Sequence, residues 1–231
     1  MYAVVLAVTA VVASAHVSAQ PQPCCTPNQW EATMVEAQGY VQNVEPKTLI
    51  GTIEVSYDFD NKKMAFNQML NNSGTPVLGK VIINYKEGKM YIISDGVCTE
   101  LDAPTVDMPQ QCIKADAVFE RTMRLGGTDG LEVNSFGLWN VQGVAYGTAQ
   151  MTSSDCLPVT EVLIAEQTGQ VLGSVQAIIF DGVTTGIKDP SVFDPPSPPC
   201  NSIPGVQRQE RRSVGTPFFQ RTLGRFGIPD F

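Results

Sequence analysis

Leu49-Ile50-Gly51-Thr52-Ile53-Glu54-Val55-Ser56-Tyr57-Asp58-Phe59 places Ile53, Val55, Tyr57 and Phe59 alternately with polar residues. A period of two is the mark of a strand with one buried face. Asp60-Asn61-Lys62-Lys63 then supplies a turn, and Met64 to Leu70 returns as the partner strand. The same pattern recurs at once. Lys80 to Tyr85 leads through Lys86-Glu87-Gly88-Lys89 into Met90 to Ser94, and a connection this short forces antiparallel pairing. Working outward, β-branched and aromatic runs at 117–124, 132–140, 144–151, 158–166 and 172–181 predict further strands. About ten strands with short connections, and scarcely any helical periodicity, predict an all-β sandwich or strongly curved sheet.

The flanks are of different character. Residues 1–19 are apolar, uncharged and closed by the small-residue triplet Val17-Ser18-Ala19, as in a secretory signal peptide cut after Ala19. The run is too short and too interrupted for a transmembrane span, and no later run is long enough. The expected organisation is therefore a signal peptide at 1–19, one β domain at 20–206 and a flexible basic tail at 207–231. Six prolines between Asp189 and Pro204 rule out a regular helix or a central strand there, so that stretch is expected to lie over the surface, pinned by Cys200. The tail carries five arginines and is net +3, with Arg211-Arg212 spaced like a dibasic processing site. The rest of the chain then carries −11 of the total −8, and so acidic a body repels nucleic acid phosphates.

Composition excludes much catalysis. The only histidine is His16, inside the expected signal, so the mature chain would hold no imidazole. Ser-His-Asp sites, Cys-His sites and histidine-bearing zinc sites are thereby excluded. The six cysteines, Cys24, Cys25, Cys98, Cys112, Cys156 and Cys200, are even in number and predict three disulfides in an oxidising compartment. A bond between the adjacent Cys24 and Cys25 is strained, and the residues alone leave the remaining connectivity open.

Two motifs carry a family resemblance. Pro23-Cys24-Cys25-Thr26-Pro27-Asn28-Gln29-Trp30-Glu31 resembles the mature start of ependymin-related proteins. Gly186-Ile187-Lys188-Asp189-Pro190-Ser191-Val192-Phe193-Asp194-Pro195-Pro196, with Cys200 after it, resembles the family's C-terminal signature, and Asp155-Cys156-Leu157-Pro158-Val159 fits its central cysteine region. The resemblance implies two curved antiparallel sheets in a half-open sandwich with a deep apolar pocket, like bacterial lipoprotein carriers. It implies secretion, calcium association, glycosylation and a tendency to dimerise. It further implies Cys24 with Cys156 and Cys98 with Cys200, which leaves Cys25 with Cys112. In that third pair the chain departs from the vertebrate pattern, and exchange of Cys24 for Cys25 stays open.

Function follows as binding rather than catalysis. Tyr57, Phe66, Tyr85, Phe119, Trp139, Tyr146 and Phe180 are core residues on their spacing alone, and pocket-lining candidates once the resemblance is added. The expected partner is a fatty acid or other lipid, with no cofactor required. The alternative is an acidic, glycosylated matrix or adhesion protein that meets collagen or mineral through calcium. Glycoside hydrolysis by paired carboxylates needs no histidine, but no spacing nominates a pair. Asp58-Phe59-Asp60-Asn61 starts like a calcium loop yet lacks the glycine and distal glutamate of an EF-hand, and reads better as a hairpin turn. Asp181, Asp189 and Asp194 could equally supply calcium oxygens. Asn71-Asn72-Ser73 is a glycosylation sequon in a turn-like setting, and Gly126-Gly127-Thr128-Asp129-Gly130 reads as a plain loop.

Overall fold

The computed structural model describes residues 20–103, 108–141, 145–165, 171–197 and 200–202. Its strands are β1 (Gln29–Gln42), β2 (Glu45–Asp58), β3 (Lys63–Asn72), β4 (Thr75–Asn84), β5 (Lys89–Ser94), β6 (Val97–Asp102), β7 (Val118–Leu125), β8 (Leu131–Val141), β9 (Ala145–Thr152), β10 (Pro158–Ala165), β11 (Val171–Thr185) and β12 (Asn201–Ser202). The signal peptide, the basic tail and Arg211-Arg212 lie outside the described residues. The all-β expectation holds. Strands β1, β6 and the two-residue β12 are additions to the expected set, and for the two longer ones the reason is visible in their sequences: Ala, Gly, Glu and Gln dilute β1, and Thr99, Glu100 and Asp102 dilute β6.

The hydrogen-bond ladder is a single open sheet in the order β12-β6-β5-β4-β3-β2-β1-β11-β10-β9-β8-β7. Two sheets were expected. What joins them into one is the pairing of β1 with β2 on one side and β11 on the other, from Trp30 opposite Thr185 to Gln42 opposite Val171. Two antiparallel meanders, β1 to β6 and β7 to β11, thus meet along β1 (14 residues) and β11 (15 residues). β12 alone among the described strands pairs in parallel, against β6 at Thr99 and Glu100.

Turn chemistry sets the meander. Asn43-Val44, Ser73-Gly74 and Asp95-Gly96 each hold both central residues at positive φ, the two-residue hairpin geometry that matches strand twist. At the β2–β3 turn the Asp58 carboxylate accepts from Asn61 N at 3.0 Å and from its Nδ2 at 2.7 Å, which closes the loop. The proline-rich segment forms a short 3-10 helix at Pro190–Phe193, capped by the Asp189 side chain on Ser191 N. Phe193 of that helix is buried against Ala65 and Ile82. Disulfides join Cys24 to Cys156, Cys25 to Cys112 and Cys98 to Cys200, the pairs named above. Each closes a loop long enough to contribute about 4 kcal/mol by chain entropy.

One face of the sheet is buried. Its main cluster spans β1 to β6 and includes Trp30, Met34, Ile53, Tyr57, Met64, Phe66, Ile83 and Met90, with Met108 from the following segment. A smaller cluster, Phe136, Met151 and Cys156 with Phe119 and Ile113 beside it, covers β7 to β9. Val44 is 82% exposed and sits at φ 63, where a β-branched side chain meets backbone atoms and nothing offsets the strain. Val44→Gly should raise the unfolding free energy by about 1 kcal/mol, read as a higher midpoint in denaturant with unchanged slope.

Candidate functional site

The buried face is built in rows that cross the strands. Met34 of β1 lies between Phe180 and Ile53, and Ile53 faces Gln68, which in turn faces Gly79. In the next row Glu36 lies between Ile178 and Gly51, with Leu70 beyond. In the third, Gln38 lies between Gln176 and Leu49. Four polar side chains, Glu36, Gln38, Gln68 and Gln176, are therefore buried within an otherwise apolar face. Gln176 Nε2 donates to Glu36 Oε1. Gln68 is only 1% exposed, yet neither its Oε1 nor its Nε2 meets a hydrogen-bond partner, and Gln38, 8% exposed, has an unpartnered Oε1. Leaving such groups unmet costs roughly 1–3 kcal/mol each. Gly79 faces Gln68, and Gly51 faces Glu36 at a point closely packed by the next strand, where a Cβ would clash with Met69 O and come within 2.8 Å of Leu70 Cα.

An aromatic group closes one end of this face. Trp30 stacks on Tyr57 at 5.4 Å between ring centroids and meets Phe180 edge-on at 6.1 Å, while Tyr57 stacks on Phe59. The Tyr57 hydroxyl donates to Pro109 O at 2.7 Å, tying the segment after β6 over the cluster. Of the seven aromatic candidates, Tyr57, Phe66, Tyr85 and Phe180 belong to this cluster and Phe119 to the smaller one. Trp139 and Tyr146 do not join them: they are 62% and 42% exposed, a correction to the expectation that all seven gather inside. Both lie towards the β8–β9 end of the sheet, where the alternation gave no hint of which phase faces solvent. Sequence reasoning also missed the four buried polar residues. For Glu36 and Gln38 the signal was the alternation Trp30, Ala32, Met34 and Tyr40, whose buried phase runs through both.

The open face bears a second feature, a hollow of about 350 Å³ whose charged lining residues are Glu31, Glu54, Asp181, Lys80 and Lys188. Charged side chains share its lining about equally with apolar ones such as Val55, Phe66 and Val192, so it is not the deep apolar pocket that the resemblance implied. Glu31 is held by Ser56 Oγ at 3.1 Å and by the backbone N–H of Lys188 at 3.2 Å, and Asn67 Nδ2 donates to Glu54 at 2.9 Å. Gly186 N donates to Gln29 O at 2.8 Å. The two motifs at opposite ends of the chain therefore touch. Among the described residues no group of three or more His, Cys, Asp or Glu side chains is arranged to hold a metal ion. Asp60 accepts from Asn28 Nδ2, and Asp189 caps its helix.

A family model described as Ependymin matches residues 72–200, more than half of the chain. The chain belongs to the ependymin family. It is 29% identical to mammalian ependymin-related protein 1 of Mus musculus over 200 residues, covering 77% of this chain and 76% of that protein. It is likewise 29% identical to the Rattus norvegicus protein of the same name over 211 residues, covering 84% and 83%. Among solved structures, an uncharacterized conserved protein from Thermus thermophilus aligns with TM-score 0.46 at 15% identity, over 78% of this chain and 90% of that one.

In this ependymin-family sheet the sequon residue Asn71 sits at the end of β3 on the open face, with Oδ1 accepting from Gly74 N at 2.7 Å and its side chain exposed. No helix among the described residues is long and apolar enough to cross a membrane. Three disulfides fit an extracellular environment. Burial pushes the Tyr57 and Tyr85 phenols far above their ordinary range. In the unfolded chain both would ionise near pH ~10, so they stabilise the fold fully below that pH and progressively less above it. Alkaline titration followed at the phenolate absorbance should be the same for wild type and Tyr85→Phe up to the unfolding transition. Ionisation of Tyr85 near pH ~10 in folded protein would show it to be solvated.

Proposed function

We propose that this chain is a secreted extracellular binding protein that holds a hydrophobic molecule against the buried face of its sheet. The observation that carries this reading is Gln68, an amide buried in an apolar cluster with both of its polar atoms unmet. A core selected only for packing would place leucine there. Four methionines in the same cluster, Met34, Met64, Met90 and Met108, support the reading, because unbranched thioethers re-pack readily around a guest. Magnitude suffices. About ten methylenes at ~0.8 kcal/mol each give roughly 8 kcal/mol, the free energy of a micromolar complex. Without an imidazole outside its first 19 residues, the chain reads as a binder rather than a catalyst. The matrix reading, with calcium, collagen or mineral as partner, draws on no comparable feature, since Asp58, Asp60 and Asp189 are engaged in turns and a cap. Native mass spectrometry of the secreted chain, purified without detergent, should show bound mass that organic extraction removes and added lipid restores. One unliganded mass throughout would overturn the carrier.

Self-association is proposed on the open face. Val35, Ile50, Met69, Leu78 and Ile179 are exposed there on five adjacent strands, β4, β3, β2, β1 and β11. At ~4.8 Å per strand the patch is about 19 Å wide, and contiguous apolar surface of that breadth marks an interface. A second copy fits because sheet faces of this kind pack on one another in aligned layers. Sedimentation should give a dimer that Met69→Lys with Leu78→Lys converts to monomer, and a wild-type monomer at high concentration would refute it.

A further inference from the structure

Resting on the self-association proposed above, we infer that Asn71 carries an N-linked glycan and that this glycan sets how tightly two copies pair, the sugar-free chain associating much more strongly than the glycosylated one. Asn71-Asn72-Ser73 is the only sequon in the chain, so such a glycan has one site available. The acceptor is accessible there. Asn71 is exposed and its Oδ1 accepts from Gly74 N at 2.7 Å, while among the described residues nothing accepts a hydrogen bond from its Nδ2, the atom that the sugar bonds. Ser73, which completes the sequon, is exposed in the same turn. Three disulfides call for an oxidising secretory route, and that is where this modification is made. The transfer joins Asn71 Nδ2 to the anomeric carbon of the first N-acetylglucosamine. It breaks that carbon's bond to the diphosphate of a lipid-linked oligosaccharide donor, which leaves with the electron pair while Nδ2 gives up one proton.

The neighbours of Asn71 give the modification its consequence. The strand register sets Asn71 directly opposite Ile50 of β2 and Pro76 of β4, with Met69 two positions back on the same face of β3 and Leu78 opposite Met69. Directly opposed side chains on one face stand about 5 Å apart and diagonal ones about 7–8 Å. Ile50, Met69 and Leu78 are each more than half exposed, so the first sugars stand over all three. These are three of the five residues of the apolar patch, and the other two, Val35 and Ile179, face each other across β1 and β11. A glycan is bulky and hydrated, so at this position it holds water over apolar surface that a second sheet face has to dry. A symmetric pair brings the same patch from each copy, and its interface therefore meets two glycans rather than one. Without sugar, Asn71 leaves only a short amide among apolar neighbours.

The test uses the full secreted chain from glycosylating cells, with occupancy of Asn71 read from the intact mass. Sedimentation equilibrium over a range of concentrations compares three forms: glycosylated wild type, the same protein trimmed to a single sugar by an endoglycosidase, and Ser73→Gly. That substitution destroys the sequon, leaves Asn71 in place and suits the positive φ of position 73. It also removes the Ser73 hydroxyl from Thr48, so the trimmed wild type, with its sequence unaltered, carries the comparison should the variant fold poorly. The dimer dissociation constant of the glycosylated form should lie about tenfold or more above that of Ser73→Gly, as loss of one central apolar contact predicts, and trimming should restore tight pairing. Equal constants for the glycosylated and sugar-free forms overturn the inference, as does a wild-type mass without glycan. Sugar-free forms that stay monomeric at every concentration, or that pair as tightly with Met69→Lys and Leu78→Lys added, instead overturn self-association through this face.

Discussion

The pairing of β1 with β11 holds this molecule together as one object. Without it there would be two meanders, each ending in an exposed edge and each with half of a buried face. An edge of that length is a template for association with another chain. With it, β1 becomes a central strand whose every inward side chain is covered from both neighbours. The consequence falls on composition: whatever β1 and β11 place inward, polar or not, is buried. That is why Glu36, Gln38 and Gln176, harmless on an edge strand, become buried polar groups here.

The disulfides and the end motifs act on the same seam. Cys24 and Cys25, just before β1, are bonded to Cys156 ahead of β10 and Cys112 ahead of β7, so the start of the central strand is fixed to the second meander. Thr26 N donates to Gln111 O, and Ile113 N to Cys24 O, extending that attachment as backbone pairing. At the far side, Gly186 and Lys188 return to Gln29 and Glu31. The stretches that resemble a family signature are therefore those that clamp the base of β1 and β11 together, which is a structural explanation of why they stand out in sequence. A motif can be highly specific and still say nothing about the ligand.

Much of the fold was legible, and unevenly so. Strands β2 to β5 announce themselves because Ile53, Val55, Tyr57, Met64 and Phe66 keep strict phase and are separated by residues suited to turns. β1 is longer than most of them and was not foreseen. Its inward positions are Trp30, Ala32, Met34, Glu36, Gln38 and Tyr40, so the hydrophobic alternation fails at two of six places. Hydrophobic periodicity detects strands through the transfer free energy of the buried phase. Where polar side chains occupy that phase, the signal cancels. β6 was lost similarly, through a half-buried edge. The number of sheets was not legible at all, since it depends on which strand β1 chooses as its second neighbour.

The residues that hid β1 from the sequence are also the ones that weaken its burial. A strand that keeps glutamine and glutamate inward gives up apolar burial and leaves hydrogen-bonding capacity unmet, and both effects lower stability. Such a departure persists where something other than folding depends on it, as local inconsistency in an otherwise consistent sequence tends to mark a working site. Against the three disulfides, which contribute on the order of 4 kcal/mol each by chain entropy, one or two unmet amides at roughly 1–3 kcal/mol apiece are affordable. The crosslinks of this sheet and the unmet groups on its inner face are thus connected: the first supply the stability margin that permits the second.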